Sequence, residues 1–233
     1  MNIPLVKVPT FKMTLPFTQR EVKYRPYVVK EEKILIMASE SETAQDMVNA
    51  VGDVVKSCTF GAVDYERDPL FEVQYAFLQI RGKSQGEVLE FYSVCGKCKD
   101  KMPVNLNVSE FTLKTTEGHT YKISLPENVN VIMRYPTLKL YRDLYETEDE
   151  NVIYDVVAAC IETIYNEDET FVNDGTESAE FRKFIDNLTP EQFEQFERFF
   201  VTMPVLIFTL KYNCSKCEEP NTLTIDGINH FFE

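Results

Sequence analysis

The chain has 233 residues, and its 44% apolar and 27% charged content is that of a globular protein long enough to bury a core. Its 38 acidic and 24 basic side chains give a formal net charge of −14, which disfavours nucleic-acid binding and suits a solubilising surface or a basic protein partner. No apolar run approaches the ~20 residues of a membrane helix, and residues 1–7 lack a secretory signal, so we expect no membrane association and a reducing compartment.

The N-terminal part of the chain carries the signals of a β-hairpin followed by helices. Residues 11–15 and 21–24 alternate between apolar and polar side chains, as the strands of a hairpin do. Ser39 with Glu42 matches a capping box, which predicts that a helix begins there and presents one apolar face. The residues of that face are Ala44, Met47, Val48, Val51, Val55 and Cys58.

Two further helices are predicted where an N-cap residue precedes a proline. Asp68 precedes Pro69 and Thr189 precedes Pro190, which is the arrangement favoured at the first turn of a helix. Both helices carry large apolar side chains at helical spacing, and we expect these side chains to be buried. They are Phe71, Tyr75, Leu78, Phe193, Phe196, Phe199 and Phe200.

The pattern D-V-V-x-x-C occurs at residues 53–58 and again at residues 155–160, each time near the end of an amphipathic helix. The apolar spacing of the second helix continues as far as Ile164. Residues 111–123 resemble residues 11–24 and are expected to form a corresponding hairpin. These matches suggest an internal repeat, although two amphipathic helices can also resemble each other by chance.

The order of the predicted elements sets the fold class. Hairpin and helix signals alternate in the same order twice, which predicts an α+β fold of two related halves rather than a parallel sheet. The halves are expected at residues 1–111 and 112–233, each ending in a Cys-x-x-Cys knuckle.

Four of the six cysteines form two Cys-x-x-Cys pairs, Cys95 with Cys98 and Cys214 with Cys217. Each pair ends a strand-like run and is followed by a polar turn and a second strand-like run, as in a zinc ribbon. Two such knuckles complete the Cys₄ shell of a structural Zn²⁺, although the 115 residues between Cys98 and Cys214 exceed the usual gap of ~15–20 residues. We therefore predict one structural Zn²⁺ site that joins the two halves.

Other uses of the cysteines give the alternatives. A redox pair would be expected at a strand-to-helix junction, where a helix N-terminus lowers a thiol pKa, whereas strand-like sequence flanks both pairs here. Plain reduced thiols are the remaining alternative. Cys58 and Cys160 lie on apolar helix faces and are expected to pack in the core.

The sequence lacks the common catalytic motifs, including the Walker loop, G-x-G-x-x-G, H-E-x-x-H and G-x-S-x-G. Its only histidines, His119 and His230, are expected to be solvated or to serve packing. The acidic runs at residues 146–150 and 167–169 are typical of solvated loops. Catalysis based on histidine therefore has little material in this sequence.

Three segments carry a family resemblance: EVKYRPYVVKEEKILIMA at residues 21–38, DPLFEVQY at residues 68–75 and IRGKS at residues 80–84. A strand, an Arg-Pro turn, a Lys-Glu-Glu helix start and an Arg-x-Lys-Ser segment follow one another in this order. Together they resemble the baseplate hub assembly proteins of T-even-like contractile-tailed bacteriophages. The likeness spans residues from about 11 to 98, and the Cys-x-x-Cys pairs are also similar to those of that family.

This resemblance implies a viral, non-enzymatic protein that is needed to build the central hub of the tail baseplate. The protein would be either a hub subunit kept in the virion or a factor that acts in the host cytoplasm during assembly. Its expected partners are phage hub and tape-measure proteins. A tape-measure chaperone is the alternative within this class, and a Cys-x-x-Cys thiol oxidoreductase is the alternative outside it.

The same resemblance suggests residues that contact a partner. Arg25 and Tyr27 in the Arg-Pro turn, together with Arg81, Lys83 and Ser84 in a loop, are expected to be exposed and to bind that partner. The local sequence also fits a purely structural role, in which Pro26 ends a strand and the following glutamates favour a helix start.

Overall fold

The computed structural model describes residues 6–41, 43–145, 151–176 and 178–226, and it confirms the predicted α+β class. The strands are β1 (Phe11–Thr14), β2 (Glu21–Tyr24), β3 (Val88–Val94), β4 (Lys101–Asn107), β5 (Thr112–Lys114), β6 (Lys122–Ser124), β7 (Asn130–Met133), β8 (Ile161–Tyr165), β9 (Thr170–Val172), β10 (Val205–Asn213) and β11 (Pro220–Asp226). The helices are α1 (Val29–Ser39), α2 (Ala44–Cys58), α3 (Leu70–Gln85), α4 (Leu138–Tyr145), α5 (Val152–Ala159), α6 (Ser178–Asp186) and α7 (Pro190–Thr202), and a 3₁₀ turn covers Val108–Glu110.

The chain forms two compact units, one of Met1–Lys114 with Val205–Glu233 and the other of Thr115–Pro204. This division differs from the predicted halves, 1–111 and 112–233, because residues 205–233 belong to the first unit. β10 pairs antiparallel with both β5 and β11, and these pairings bring the C-terminal hairpin into the first unit. Because these paired strands are far apart in the sequence, no local pattern predicts their pairing or the boundary between the units.

The first unit begins with the predicted β-hairpin. β1 pairs antiparallel with β2, and the alternating pattern buries Met13, Val22 and Tyr24 on one face. α2 buries the residues of its predicted apolar face from Met47 onward, including Val51 and Cys58. The hairpin and the apolar face of α2 are thus confirmed.

The helix starts of the first unit differ from the predicted ones. Ser39 is the last residue of α1, and its hydroxyl donates to the Ile36 carbonyl, while Glu42 lies outside the described residues. α3 begins at Leu70, after Pro69 as the N-cap residue. Asp68 does not cap α3, because its carboxylate accepts a backbone hydrogen bond from Asp64 and pairs with a nearby arginine.

The second unit places a four-stranded antiparallel sheet, in the order β6-β7-β8-β9, with helices α4 to α7. Thr189 caps α7 as predicted, since its hydroxyl accepts from the Gln192 N–H and Pro190 occupies the first turn. Phe196 and Phe199 are buried in the core of this unit, and Phe193 and Phe200 pack against it partly buried. The predicted burial is thereby confirmed for Phe196 and Phe199, whereas Phe193 and Phe200 are only partly buried.

Two predictions for the second half are wrong. Residues 111–123 do not form a hairpin, because β5 pairs with β10 whereas β6 pairs with β7. The helix expected to continue to Ile164 ends at Ala159, and residues 161–165 form β8. β8 is a central strand with β7 and β9 on either side, and this tertiary pairing overrides a spacing that also fits a helix.

The two D-V-V-x-x-C segments end in the same local arrangement. Arg25 follows β2, and its backbone N–H donates to the Cys58 carbonyl at the end of α2 over 3.0 Å. Arg134 follows β7, and its backbone N–H donates to the Cys160 carbonyl at the end of α5 over 2.7 Å. The predicted repeat is therefore matched locally by a hairpin whose second strand is followed by an arginine bonded to the end of a helix. In the second unit this hairpin is β6-β7, whereas residues 111–123 were expected to form it.

Candidate metal centre

The first Cys-x-x-Cys pair forms a tight turn between β3 and β4. The Cys95 N–H donates to the Asp100 carbonyl over 2.9 Å, and the Lys99 N–H donates back to the Cys95 carbonyl over 3.1 Å. Lys99 has a φ of 60°, a left-handed conformation that turns the chain back immediately after Cys98.

The second pair repeats this turn between β10 and β11. The Cys214 N–H donates to the Glu219 carbonyl over 2.9 Å, and the Glu218 N–H donates to the Cys214 carbonyl over 2.9 Å. Glu218 follows Cys217 and has a φ of 58°, as the corresponding residue of the first turn does. The two pairs are thus knuckles of the same backbone geometry, and both belong to the first unit.

The two knuckles bring their four sulfur atoms together. All four lie within 4.8 Å of one another, with 3.7 Å between the Sγ atoms of Cys95 and Cys217 and 3.6 Å between those of Cys98 and Cys214. Four sulfurs bound tetrahedrally at the Zn–S distance of about 2.3 Å would be about 3.8 Å apart. The spacing therefore fits a single tetrahedral Cys₄ metal site, the set of residues predicted from the sequence.

The backbone of the knuckle also favours ionised sulfur. The N–H groups of Cys98 and Lys97 point at the Cys95 sulfur and lower the pKa of that thiol to about 6. The Glu219 N–H acts in the same direction on Cys217, but burial and the three neighbouring thiols together raise its pKa to about 12. Thiols this close cannot all ionise unless a cation compensates their charge, so the cluster suits a metal ion better than it suits four free thiols.

Asn221 connects the two knuckles outside the sulfur cluster. Its side-chain oxygen accepts from the Gly96 N–H over 3.0 Å, and its amide nitrogen lies 2.7 Å from the Glu219 carbonyl and 3.6 Å from the Cys95 sulfur. Hydrogen bonds of this kind orient metal ligands and tune their charge. Asn221 lies outside both Cys-x-x-Cys pairs, so no sequence motif marks it as part of the site.

Ion pairs cross between the knuckles in a nearly symmetric way. Lys97 pairs with Glu219 over 2.9 Å, and Lys216, at the equivalent position of the second knuckle, pairs with Asp100 over 3.1 Å. Each pair is largely exposed and therefore contributes little stability by itself. Because the two ion pairs occupy equivalent positions, they support the pairing of the two knuckles. The only sign of these ion pairs in the sequence is the lysine that both Cys-x-x-Cys pairs share.

The residues predicted to be exposed in the Arg-Pro turn are instead packed. The Arg25 side chain is 13% exposed, and its guanidinium donates to the Glu31 carboxylate over 2.8 Å and to the Ser57 hydroxyl over 3.1 Å. Tyr27 is 8% exposed, and its N–H donates to the Ser84 hydroxyl over 3.0 Å. The expectation of an exposed turn is therefore wrong, because these polar groups fasten the turn to α1, α2 and α3.

The predicted loop at residues 81–85 forms the last turns of α3. Ser84 is half-buried and donates to the Ile80 carbonyl over 2.6 Å, and Lys83 is exposed and pairs with Glu87. Arg81 is half-buried at the edge of a groove. Of the five predicted contact residues, Lys83 is the one that is exposed in the structure.

The remaining candidate groups are packed or lie outside the described residues. Cys58 and Cys160 are fully buried, and burial raises their thiol pKa values to about 11 and about 12, which confirms their predicted place in the core. The His119 ring lies 2.8 Å from the Thr202 hydroxyl and 3.0 Å from the Tyr135 hydroxyl, and burial lowers its pKa. His119 thus has the expected packing role. His230 and the acidic run at residues 146–150 are not among the described residues.

Comparison with known proteins identifies one match. A family model described as T4 bacteriophage base plate protein matches residues 8–233, which include all four cysteines of the cluster. No curated protein and no solved structure matches the chain. Among the helices in the described ranges, none is both long and apolar enough to cross a membrane.

Proposed function

The chain belongs to the T4 bacteriophage base plate protein family, and we propose that it is a non-enzymatic protein that builds the central hub of the tail baseplate. Membership confirms the baseplate resemblance that the sequence analysis found. The hub assignment rests on the same segments, from residue 21 to residue 84, in which that resemblance is specific. The expected partners are accordingly the hub and tape-measure proteins of the same phage.

The sulfur cluster supports a structural rather than a catalytic role. A metal ion held by four thiolates has no open position for water or substrate, so it cannot activate either one. We propose Zn²⁺ as this ion, because it prefers a tetrahedral thiolate shell and the observed sulfur spacing matches its bond length. Such a metal ties the β3-β4 hairpin to the β10-β11 hairpin, so that metal affinity contributes to the stability of the first unit.

The same geometry disfavours the thiol oxidoreductase alternative. Both Cys-x-x-Cys turns join two antiparallel strands, and neither is followed by a helix that would stabilise an attacking thiolate. The other two thiols, of Cys58 and Cys160, are buried and have raised pKa values.

Genetic complementation tests the proposed function. A phage that lacks this gene should produce tail parts without assembled hubs, visible by electron microscopy of infected-cell lysates, and a plasmid copy should restore them. Mass spectrometry of purified virions then distinguishes a hub subunit, which is retained, from an assembly factor, which is absent. Normal baseplates in the deletion phage would disprove the hub role, and intact hubs with aggregated tape-measure protein would favour the chaperone alternative.

Metal analysis tests the cluster independently of the phage. Purified protein should contain about one zinc per chain, measured by inductively coupled plasma mass spectrometry. A metal-free protein with four reactive thiols, or another metal at the same stoichiometry, would contradict the assignment of zinc.

A further inference from the structure

A groove in the first unit contains polar groups that have no partner among the described residues, beside an apolar floor. It lies between α1 and α3, with a volume of about 180 Å³, and Leu35, Met47 and Phe77 line its apolar part. A cavity of this size is smaller than the sites that enclose whole small-molecule ligands. It has room for an inserted side chain.

Arg81 supplies the charge of this groove. Its guanidinium is half-buried, and it makes no hydrogen bond or ion pair with any residue in the described part of the chain, although Glu32 also lines the groove. Burial lowers the pKa of Arg81, in the direction expected for a cation that has lost water without gaining an anion. Arg25 in the same unit is neutralised by Glu31, so an unpaired guanidinium is not general here.

Two further polar groups line the groove without a described hydrogen-bond partner, the hydroxyl of Tyr27 and the amide of Gln85. Both can donate, as the Arg81 guanidinium does. The ligand that satisfies all three is an acceptor, and a carboxylate matches the planar fork of an arginine with two parallel hydrogen bonds.

An exposed apolar side chain borders the groove. Ile36, on the groove wall, is 50% exposed. Val29, Ile34 and Met37 are also exposed elsewhere on α1, interspersed with exposed lysines. A free anion would leave Ile36 uncovered, whereas a protein segment would bury it.

We propose that this groove binds an acidic segment of another baseplate protein, which inserts an aspartate or glutamate side chain against Arg81 and covers Ile36 with apolar side chains. This inference rests on the proposed function and names the surface through which it operates. The acidic side chain is selected by the unpaired guanidinium, and the apolar contacts give the affinity.

The binding test uses the full-length chain and each purified baseplate protein of the same phage. Arg81→Gln removes the charge, Ile36→Asp disrupts the apolar contact on a half-exposed groove side chain, and Arg198→Gln is the matched control, since Arg198 is an exposed arginine of the second unit. We expect one baseplate protein to bind the wild-type chain, Arg81→Gln and Ile36→Asp to weaken its Kd about tenfold or more, and Arg198→Gln to leave it unchanged.

Thermal unfolding separates binding from folding. Because Arg81 is a half-buried charge with no ion pair in the described part of the chain, Arg81→Gln should leave the melting temperature unchanged or raise it. A fall in melting temperature with unchanged binding per folded molecule would make Arg81 a scaffold residue and overturn the proposal. Unchanged affinity in both groove variants, or loss of self-association in place of loss of a baseplate partner, would overturn it too.

Complementation distinguishes failure of the groove proposal from failure of the proposed hub function. If the wild-type gene restores hubs to the deletion phage and Arg81→Gln and Ile36→Asp restore them equally well, the hub role stands and the groove proposal fails. If the deletion phage builds normal baseplates, the hub role itself fails. Hub loss with Arg81→Gln, rescued in part by Arg81→Lys, supports the groove.

Discussion

Replacing Glu31 by glutamine should destabilise the first unit strongly, because this carboxylate is the buried centre of the Arg-Pro turn. Glu31 is 2% exposed and accepts from the Arg25 guanidinium over 2.8 Å, from the Ser57 hydroxyl over 3.0 Å and from the Val28 N–H over 3.0 Å. Glutamine keeps the shape of the side chain but removes the charge. The Arg25 guanidinium, itself mostly buried, then lacks its anion.

The pKa of Glu31 sets the size of the effect. Burial by itself raises this pKa, but the hydrogen bonds from Arg25, Val28 and Ser57 outweigh it and lower the pKa from its usual 4.5 to about 2. That difference corresponds to about 3 kcal/mol of unfolding free energy at neutral pH. Because the folded pKa is the lower one, this stability is fully present above pH 4.5 and is lost as the pH falls from 4.5 towards 2.

Far-UV circular dichroism during urea unfolding provides the assay, since the chain has no tryptophan for fluorescence. At pH 7, Glu31→Gln should lose about 3 kcal/mol or more, and below pH 4.5 the difference from wild type should shrink. Glu90→Gln, at an exposed position on β3, is the control and should change stability by less than about 0.5 kcal/mol. Equal stability of Glu31→Gln and wild type at pH 7, or the same acid sensitivity in both, would refute the structural role of the pair.

Three further predictions concern the cysteines and their surroundings. Cys214→Ser should abolish metal retention and lower the melting temperature by roughly 10 °C. In a chain of this size the melting temperature falls by about 2–4 °C for each kcal/mol of stability lost, and we expect a loss of a few kcal/mol. Retention of one metal per chain would contradict this prediction. Asn221→Ala should weaken metal affinity by about 10–100-fold in a chelator competition and keep the stoichiometry, whereas unchanged affinity would exclude a role in orienting Cys95. Maleimide at pH 8 should not label Cys58 or Cys160 in the folded protein, and labelling before unfolding would contradict their burial.

Much of the local structure could be predicted from the sequence. The β1-β2 hairpin, the apolar face of α2, the Thr189 cap of α7 and the identity of the four clustered cysteines all follow from patterns within a few neighbouring residues. Such patterns predict structure because the hydrogen bonds of a helix, a hairpin or a knuckle are made between residues close in sequence.

The structural features that depend on residues distant in sequence could be determined only from the tertiary structure. Residues 161–165 fit a helix or a strand, and the pairing of β8 between β7 and β9 selected the strand. The β5 segment likewise became a partner of β10 rather than of its neighbour β6. Arg25 and Arg81 both lie in segments that resemble the family, yet Arg25 pairs with buried Glu31, whereas Arg81 makes no ion pair within the described residues. No local pattern distinguishes them, because the partner that satisfies a strand edge or a charge is set by packing between segments far apart in the chain.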